Sequence, residues 1–286
     1  MKTRLLQVTL VTLLLTLTSL HSYAQEMYKL YIAGEQVSSD NCADLSAIEG
    51  VTGTASYNPE TNTLTLDGAN ILNTKAENGW GSARGLYNMT KGLTIKLIGD
   101  NSIVSEQSGG IANGESITFT GEGSLKVTGT STGKDSYRYG ILNMGKITVQ
   151  NCSLEVSAGL YGLKSGKWTF EKCGVRIQGG VDGASFGALD AEPTFTNCSI
   201  TSPNNTQWIK NKSDLYNLCD AEGKIVTDLV TIAREKEDGI ESITSTQSTA
   251  PSGVYDLQGL RLSDDLRELP DGIYIVNGEK VILRNR

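Results

Sequence analysis

The sequence of 286 residues has only one histidine, His21, which lies in an N-terminal segment that we predict to be removed. Lys2 and Arg4 precede an apolar run over residues 5–20, and a small residue, Ala24, follows it, as is typical of a secretory signal peptide. A chain cleaved after this residue has no imidazole. Ser-His-Asp and Cys-His catalysis and histidine-ligated zinc are therefore excluded, which leaves only carboxylate, Lys, Tyr or Arg chemistry.

Long apolar runs and positive charge are also scarce. After the signal peptide, no stretch reaches the ~18 apolar residues that a membrane-spanning helix needs. The formal net charge is -7, from 25 basic and 32 acidic residues, and cleavage removes two of the basic ones. An acidic chain of this kind is a poor partner for nucleic acid or for an anionic membrane surface. We expect a soluble, exported protein.

The chain has five cysteines, an odd number, which argues against a complete set of disulfides. Three of them, Cys152, Cys173 and Cys198, occupy equivalent places in a repeated phrase. Side chains stacked in a parallel ladder run side by side instead of converging, so we favour a free, buried cysteine ladder over disulfides. Cys42 and Cys219 lie on opposite sides of the repeats, where pairing would require the chain to fold back on itself.

A short phrase with apolar residues at every second position occurs six times between residues 62 and 200. This period of two predicts strands and not helices. The six phrases start at Thr63, Leu93, Ile117, Ile147, Trp168 and Pro193. From the second phrase on, each follows a Gly-apolar pair, and the glycines lie 22 to 30 residues apart. This spacing predicts an all-β fold, a right-handed parallel β-helix of about six rungs.

Alignment of the phrases predicts which side chains stack from rung to rung. We expect Ala69 to share one inward position with the three ladder cysteines. Tyr139, Tyr161 and Phe186 precede their glycines and form a second column, which we interpret as core and not as an exposed platform. The outward column is expected to contain Thr65, Lys96, Thr118, Thr148, Thr169 and Thr194.

The segments on either side of the repeats read as separate elements. Residues 25–54 are predicted to form an N-terminal cap hairpin, 55–203 the β-helix, and 204–238 a C-terminal cap. Such caps cover the open strand edges and the exposed core at a solenoid end. Residues 239–253 are rich in Ser and Thr and read as a linker. Residues 254–286 are expected to form a small β-meander of three strands.

Two parts of the chain resemble known families. Residues 55–202 resemble exported bacterial β-helix proteins of the carbohydrate-binding, polysaccharide-lyase-like kind, through phrases such as Thr63-Leu-Thr-Leu-Asp-Gly-Ala-Asn-Ile71. Residues 254–284, with Tyr255-Asp-Leu-Gln-Gly259 and Gly272-Ile-Tyr-Ile-Val-Asn-Gly278, resemble the C-terminal sorting domains of type IX secretion in Bacteroidetes. The second resemblance implies recognition by the type IX machinery and delivery to the outer-membrane surface or the extracellular space.

Candidate ligand-contacting residues follow from chemistry. Sugar rings stack on exposed aromatic rings, and Trp80, Tyr137 and Trp208 fall in inter-rung insertions or just past the repeats. Asp182, Asp190 and Glu192 lie close in sequence and offer the oxygen ligands that calcium prefers, although three loop acids are also commonly just solvated. No other cofactor is indicated.

Three functions remain open at this point. The resemblance and the missing histidine favour a non-catalytic cell-surface protein that binds polysaccharide or host glycan. The alternative is a structural surface protein or adhesin that binds another protein. A calcium-dependent polysaccharide lyase is a third hypothesis, but no catalytic motif supports it.

Overall fold

The computed structural model describes residues 25–76, 78–79, 81–131, 138–235, 253–263, 269–276 and 279–284. These residues form β-strands and one short 3-10 helix, Leu45–Ala47. They divide into two compact units, and the boundary along the chain lies between residues 236 and 237. The predicted signal peptide, and all but the last residue of the predicted linker, lie outside the described residues. Within those residues, no helix has the length and apolar character to cross a membrane.

The larger unit is a parallel β-helix, as the repeat predicts. Each turn contributes one strand to each of three faces. Face 1 contains β5 (Leu86–Asn88), β8 (Ile111–Asn113), β11 (Tyr139–Asn143), β14 (Tyr161–Lys164) and β17 (Ala184–Gly187). Face 2 contains β6 (Leu93–Ile98), β9 (Ser116–Gly121), β12 (Lys146–Gln150), β15 (Lys167–Glu171) and β18 (Thr194–Thr196). Face 3 contains β7 (Asp100–Ser105), β10 (Ser124–Gly129), β13 (Ser153–Ala158) and β16 (Gly174–Gln178).

The described chain completes about four regular turns, and not the six rungs that we predicted. The first repeat is one long strand, β4 (Thr63–Asn73), which starts both face 2 and face 3. In the last repeat, β19 (Cys198–Ser202) does not stack on β16. The antiparallel strand β22 (Val230–Arg234) lies between them and pairs with both. The first and last repeats therefore serve as transitions to the caps.

The core of the larger unit is built mainly from alternate residues of the solenoid strands. Leu86, Ile111, Ile141, Leu163 and Phe186 form the inward column of face 1, and each is fully buried. On face 2, aromatic rings stack toward the C-terminal end, with Phe170 and Phe195 centroids 5.4 Å apart. Outward residues on the same strands are mostly polar. The inward residues at each strand position stack from turn to turn into a buried apolar column. The burial of these columns stabilises the stacking of successive turns.

A buried asparagine ladder fixes the corner between faces 1 and 2. Asn88, Asn113 and Asn143 are each fully buried, and each donates from Nδ2 to the next asparagine or to a backbone carbonyl. Their Oδ1 atoms accept from backbone N–H groups two residues further on. The ladder thus satisfies polar backbone groups that the turn would otherwise leave buried without partners.

The outward threonine column has a different register from the one we predicted. Strand pairing stacks Thr63, Thr94, Thr118, Thr148, Thr169 and Thr194 in one uninterrupted column. Thr65 and Lys96 lie two residues further along and stack with Thr120 instead. A shift by two keeps every side chain on its own face, so alternation alone cannot detect it.

Two further alignments were wrong for the same reason. Ala69 stacks with Asn101 and Leu125, and not with the cysteines. Phe186 pairs with Leu163, so Ser185 and not Gly187 occupies the repeated glycine position.

The cysteine ladder itself is confirmed: Cys152, Cys173 and Cys198 are buried and free. Burial raises the pKa of Cys152 to about 11, and burial together with neighbouring Cys198 raises the pKa of Cys173.

Both ends of the solenoid are covered. At the N-terminal end, β1 (Met27–Ile32) and β2 (Glu35–Ser38) form an antiparallel hairpin whose first strand pairs with β5. The strand β3 (Val51–Asn58) runs antiparallel along β4. At the C-terminal end, β20 (Gln207–Lys210) and β21 (Tyr216–Cys219) form a hairpin, and β21 lies against β17. Among them, β1 and β3 pair with the first solenoid strands, and β22 pairs with the last strand of face 3, which covers edges that would otherwise be open.

The smaller unit contains β23 (Val254–Tyr255), β24 (Arg261–Ser263), β25 (Gly272–Val276) and β26 (Glu279–Leu283). Its four antiparallel strands have the order β24-β23-β25-β26. It is therefore not the three-stranded meander that we predicted, because β23 pairs with β25 as well as with β24.

Candidate functional site

A groove of about 670 Å³ lies on face 3, where side chains of β4, β7, β10, β13, β16 and β22 meet. A row of small residues runs across these strands. Strand pairing aligns Asp100 with Ser124, Ser124 with Ser153 and Ser153 with Gly174. Strands in a sheet lie about 4.8 Å apart, so the six strands from β4 to β22 give the groove a length of about 24 Å. It runs along the solenoid axis, across the strands.

A row of charged residues lies beside the small ones, two positions further along each strand. Lys126, Glu155 and Arg176 are aligned on successive strands. Lys126 Nζ is 2.8 Å from Glu155 Oε1, and Arg176 Nε is 3.9 Å from Glu155 Oε2. All three side chains are about half exposed, so these ion pairs contribute little to stability. Their charged groups are available to a ligand in the groove.

Hydroxyl and carboxamide groups continue this polar surface. Ser124 donates to Asp100 Oδ1 at 2.7 Å, and Ser102 donates to Asn70 Oδ1 at 2.8 Å. Beyond the row, Arg234 at the end of β22 completes the lining. It pairs with the buried Cys198 of β19, so its side chain leaves the sheet on the side of the cysteine ladder. The groove can therefore offer donors and acceptors along its whole length.

Of the three predicted aromatic contacts, the structure describes only Trp208, and it does not line this groove. Trp208, on β20, packs edge to face against Phe186 with ring centroids 5.4 Å apart. It covers the end of the core and is only partly exposed. Trp80 and Tyr137 lie outside the described residues. The sugar-stacking platform that the sequence suggests is thus not seen in the part of the chain that the structure describes.

Two tyrosines of the predicted core column also occupy a different environment. Tyr139 is fully buried, but it belongs to a second apolar cluster with Tyr87 and Ala112, separate from the main core. Arg84 Nε donates to the Tyr139 hydroxyl at 3.0 Å. Tyr161 packs against this cluster, and Lys164 Nζ lies 4.6 Å from the centre of its ring. These rings are packed side chains and do not form an open stacking surface.

The predicted calcium ligands are separated by a strand. Asp182 precedes β17, whereas Asp190 and Glu192 follow it, and all three are exposed. Across the described ranges, no three Cys, Asp or Glu side chains form a group that could hold a metal ion. The structure therefore does not bring these carboxylates together.

The charged row of the groove was missed at the sequence level, although it left a signal. Each of its residues stands between two inward apolar residues: Lys126 between Leu125 and Val127, Glu155 between Leu154 and Val156, and Arg176 between Val175 and Ile177. This pattern recurs in successive repeats and marks aligned outward positions on one face.

Comparisons with protein-family profiles, with curated proteins and with solved structures each found no match. The function of the chain is therefore inferred from its own groove.

Proposed function

We propose that this chain is an exported, non-catalytic β-helix protein that binds a polysaccharide or glycan chain in the face 3 groove. The observation that carries the proposal is the row of Lys126, Glu155 and Arg176 beside a floor of small residues, in a groove of about 670 Å³. A site of this size, with several convergent polar groups, suits a small ligand or a segment of a polymer.

The shape of the groove favours a linear glycan over a peptide. Extended peptides usually bind by adding a strand to an open sheet edge. The strands that form the groove floor, β7, β10, β13 and β16, are each paired on both sides. A ligand here meets side chains and not free backbone groups. The hydroxyl groups of an extended sugar chain match such a repeated series of donors and acceptors.

Export and delivery complete the proposal. Residues 1–24 act as the secretory signal, and residues 254–284, by their resemblance to sorting domains of Bacteroidetes, address the protein to the type IX machinery. The exposed leucines of the smaller unit, Leu257, Leu260 and Leu262, are consistent with a surface that another protein recognises. The protein would then act at the outer-membrane surface or in the extracellular space.

The test is retention of the purified full chain on a panel of neutral and acidic polysaccharides, with calcium and again with EDTA. We expect selective retention, with the glycan recovered at unchanged length. Release of shortened products that stops in EDTA would favour a lyase. Failure on every glycan, with capture of a surface protein, would favour an adhesin.

A further inference from the structure

A continuous row of hydrogen-bonding side chains forms one side of the groove. Strand pairing places one residue from each of the six groove strands at the same register position. This polar row contains Asn70, Ser102, Lys126, Glu155, Arg176 and Thr231. Each of these residues is at least partly exposed. A ligand that lies along the row therefore meets a new donor or acceptor every ~4.8 Å, the distance between neighbouring strands.

The charges that face the groove cancel. Lys126 and Arg176 stand on either side of Glu155, and the nitrogen–oxygen distances are 2.8 and 3.9 Å. Asp100, in the row of small residues, is the second carboxylate and accepts from Ser124. The Arg234 side chain lies on the other side of β22, because Thr231 and not Arg234 is aligned with Arg176. Two cations and two carboxylates thus face the groove and leave it without net charge.

A groove without net charge is a poor site for a densely charged glycan. A uronate or sulfated chain would bring repeated negative charge close to Asp100 and Glu155, in a protein whose formal net charge is -7. Neutral sugar hydroxyls both donate and accept, so they can bond to ammonium, guanidinium and carboxylate groups in turn. Hydrogen bonds to such charged groups are stronger than those between neutral partners. The polar row therefore suits a neutral glycan.

The repeat of the polar row also selects the linkage of the glycan. A pyranose that is linked through equatorial oxygens on opposite sides of its ring forms an extended chain, and each sugar lengthens the chain by about one strand spacing. An axial link instead turns each sugar against the last, so that an α-1,4-linked glucan coils into a helix. Of the two, the extended chain can present a hydroxyl group to every strand. The groove spans about five strand spacings, which is the length of about five such sugars.

We propose that the groove binds a neutral glycan with equatorial 1,4-links, with about one sugar for each strand spacing and about five sugars in all. This inference rests on the proposed function and specifies its ligand. The small residues Ser124, Ser153 and Gly174 let the sugar rings approach the sheet, and the polar row binds the hydroxyl groups along one edge of the chain. An added Cβ at Gly174 would meet only Ser153 Oγ, at 3.8 Å, so this part of the floor is open.

The experiment is calorimetric titration of the full chain with oligosaccharides of defined length. The main series consists of β-1,4-linked glucose oligomers of two to seven sugars. An α-1,4-linked glucose hexamer changes the linkage geometry, and a β-1,4-linked mannuronate hexamer changes the charge. We expect affinity in the main series to rise up to about five sugars and then to level off. The β-linked glucose hexamer should bind at least about tenfold more tightly than either comparison probe, and its affinity should not change with salt.

Three variants locate the effect. Arg176→Ala removes one donor of the polar row and should weaken the β-linked glucose hexamer about tenfold. Glu155→Gln gives the groove a net positive charge, so the mannuronate hexamer should bind this variant about tenfold more tightly than it binds wild type. Glu171→Gln is the matched control, since it removes a carboxylate from face 2, outside the groove, and should change no affinity. Circular dichroism checks that each variant is folded.

The outcomes separate the two proposals. Equal affinity for the α- and β-linked glucose hexamers, or tightest binding of the mannuronate hexamer, would show that the ligand class is wrong, while glycan binding stands. The same conclusion follows if none of these probes binds but a polysaccharide of the panel is retained. If the folded chain binds neither the probes nor the panel, the glycan-binding proposal fails and this inference fails with it.

Discussion

Asn113 donates a hydrogen bond from Nδ2 to Oδ1 of Asn143 at 2.9 Å, and both side chains are fully buried. The two residues belong to successive turns, 30 positions apart in sequence. A polar contact inside the solenoid thus fixes the register of neighbouring rungs, because an unpaired buried amide is costly.

The first prediction concerns this ladder. Asn113→Ala leaves Asn88 and Asn143 without one partner each, and we expect the free energy of unfolding to fall by about 3 kcal/mol. Urea denaturation measures the change. Gln150→Ala, an amide removed from the outer side of β12, is the control and should cost less than about 0.5 kcal/mol. Equal costs for the two variants would show that the ladder is not structural.

The second prediction concerns the repeated glycine of face 1. An added Cβ at Gly140 would lie 2.2 Å from Val156 Cγ1 and 2.8 Å from the Gly162 carbonyl oxygen. Gly140→Ala should therefore destabilise the protein by about 2 kcal/mol through overpacking. Gly174→Ala is the control, because its added Cβ would meet only Ser153 Oγ, at an ordinary contact distance of 3.8 Å, and it should cost much less. Thermal unfolding compares them, and an unaffected Gly140 variant would contradict the strand register.

The third prediction concerns Trp208, which the sequence suggested as a sugar contact and the structure places over Phe186. Trp208→Ala should lower the free energy of unfolding by about 2 kcal/mol, because it uncovers the end of the core. Glycan affinity of the folded variant should remain within about twofold of wild type. Loss of binding with stability intact would restore Trp208 as a contact.

The fourth prediction concerns pH. The pKa of Cys152 is raised by burial to about 11 from the ordinary value of 9.0, so the unfolded chain loses this thiol proton first. The contribution of this thiol to the free energy of unfolding is fully present below pH 9. It is lost as pH rises toward 11, by up to about 3 kcal/mol. Cys152→Ala should show a shallower loss over this range in urea denaturation. Parallel curves for the two proteins would contradict the assigned burial effect.

The fold could be predicted from the sequence because its signal is repeated. Alternation over six phrases identifies strands, and glycine spacing identifies a solenoid. The exact stacking could not be predicted, since Leu64 and Leu66 are equally good inward residues and a shift by two leaves both inside. The number of residues at each corner decides between them, and it differs from turn to turn.

The site was harder to predict from the sequence than the fold. Aromatic rings and clustered acids are conspicuous in a sequence, whereas single charged residues far apart along the chain are not. Lys126, Glu155 and Arg176 are separated by 29 and 21 residues and become neighbours only once face 3 is assembled. The contribution of Thr231 and Ala233 to the groove depends on β22 entering antiparallel between β16 and β19, which no repeat predicts.

The most direct test of the account is to block the groove. Ser153→Trp places a large ring on its floor at an exposed position, and Lys167→Trp places the same ring on face 2 as a control. Affinity for the best glycan of the panel is measured for both, together with thermal stability. We predict that Ser153→Trp lowers affinity at least about tenfold, a loss of about 1.4 kcal/mol in binding free energy, with stability unchanged. Wild-type affinity in the folded Ser153→Trp variant would show that glycan does not bind in this groove.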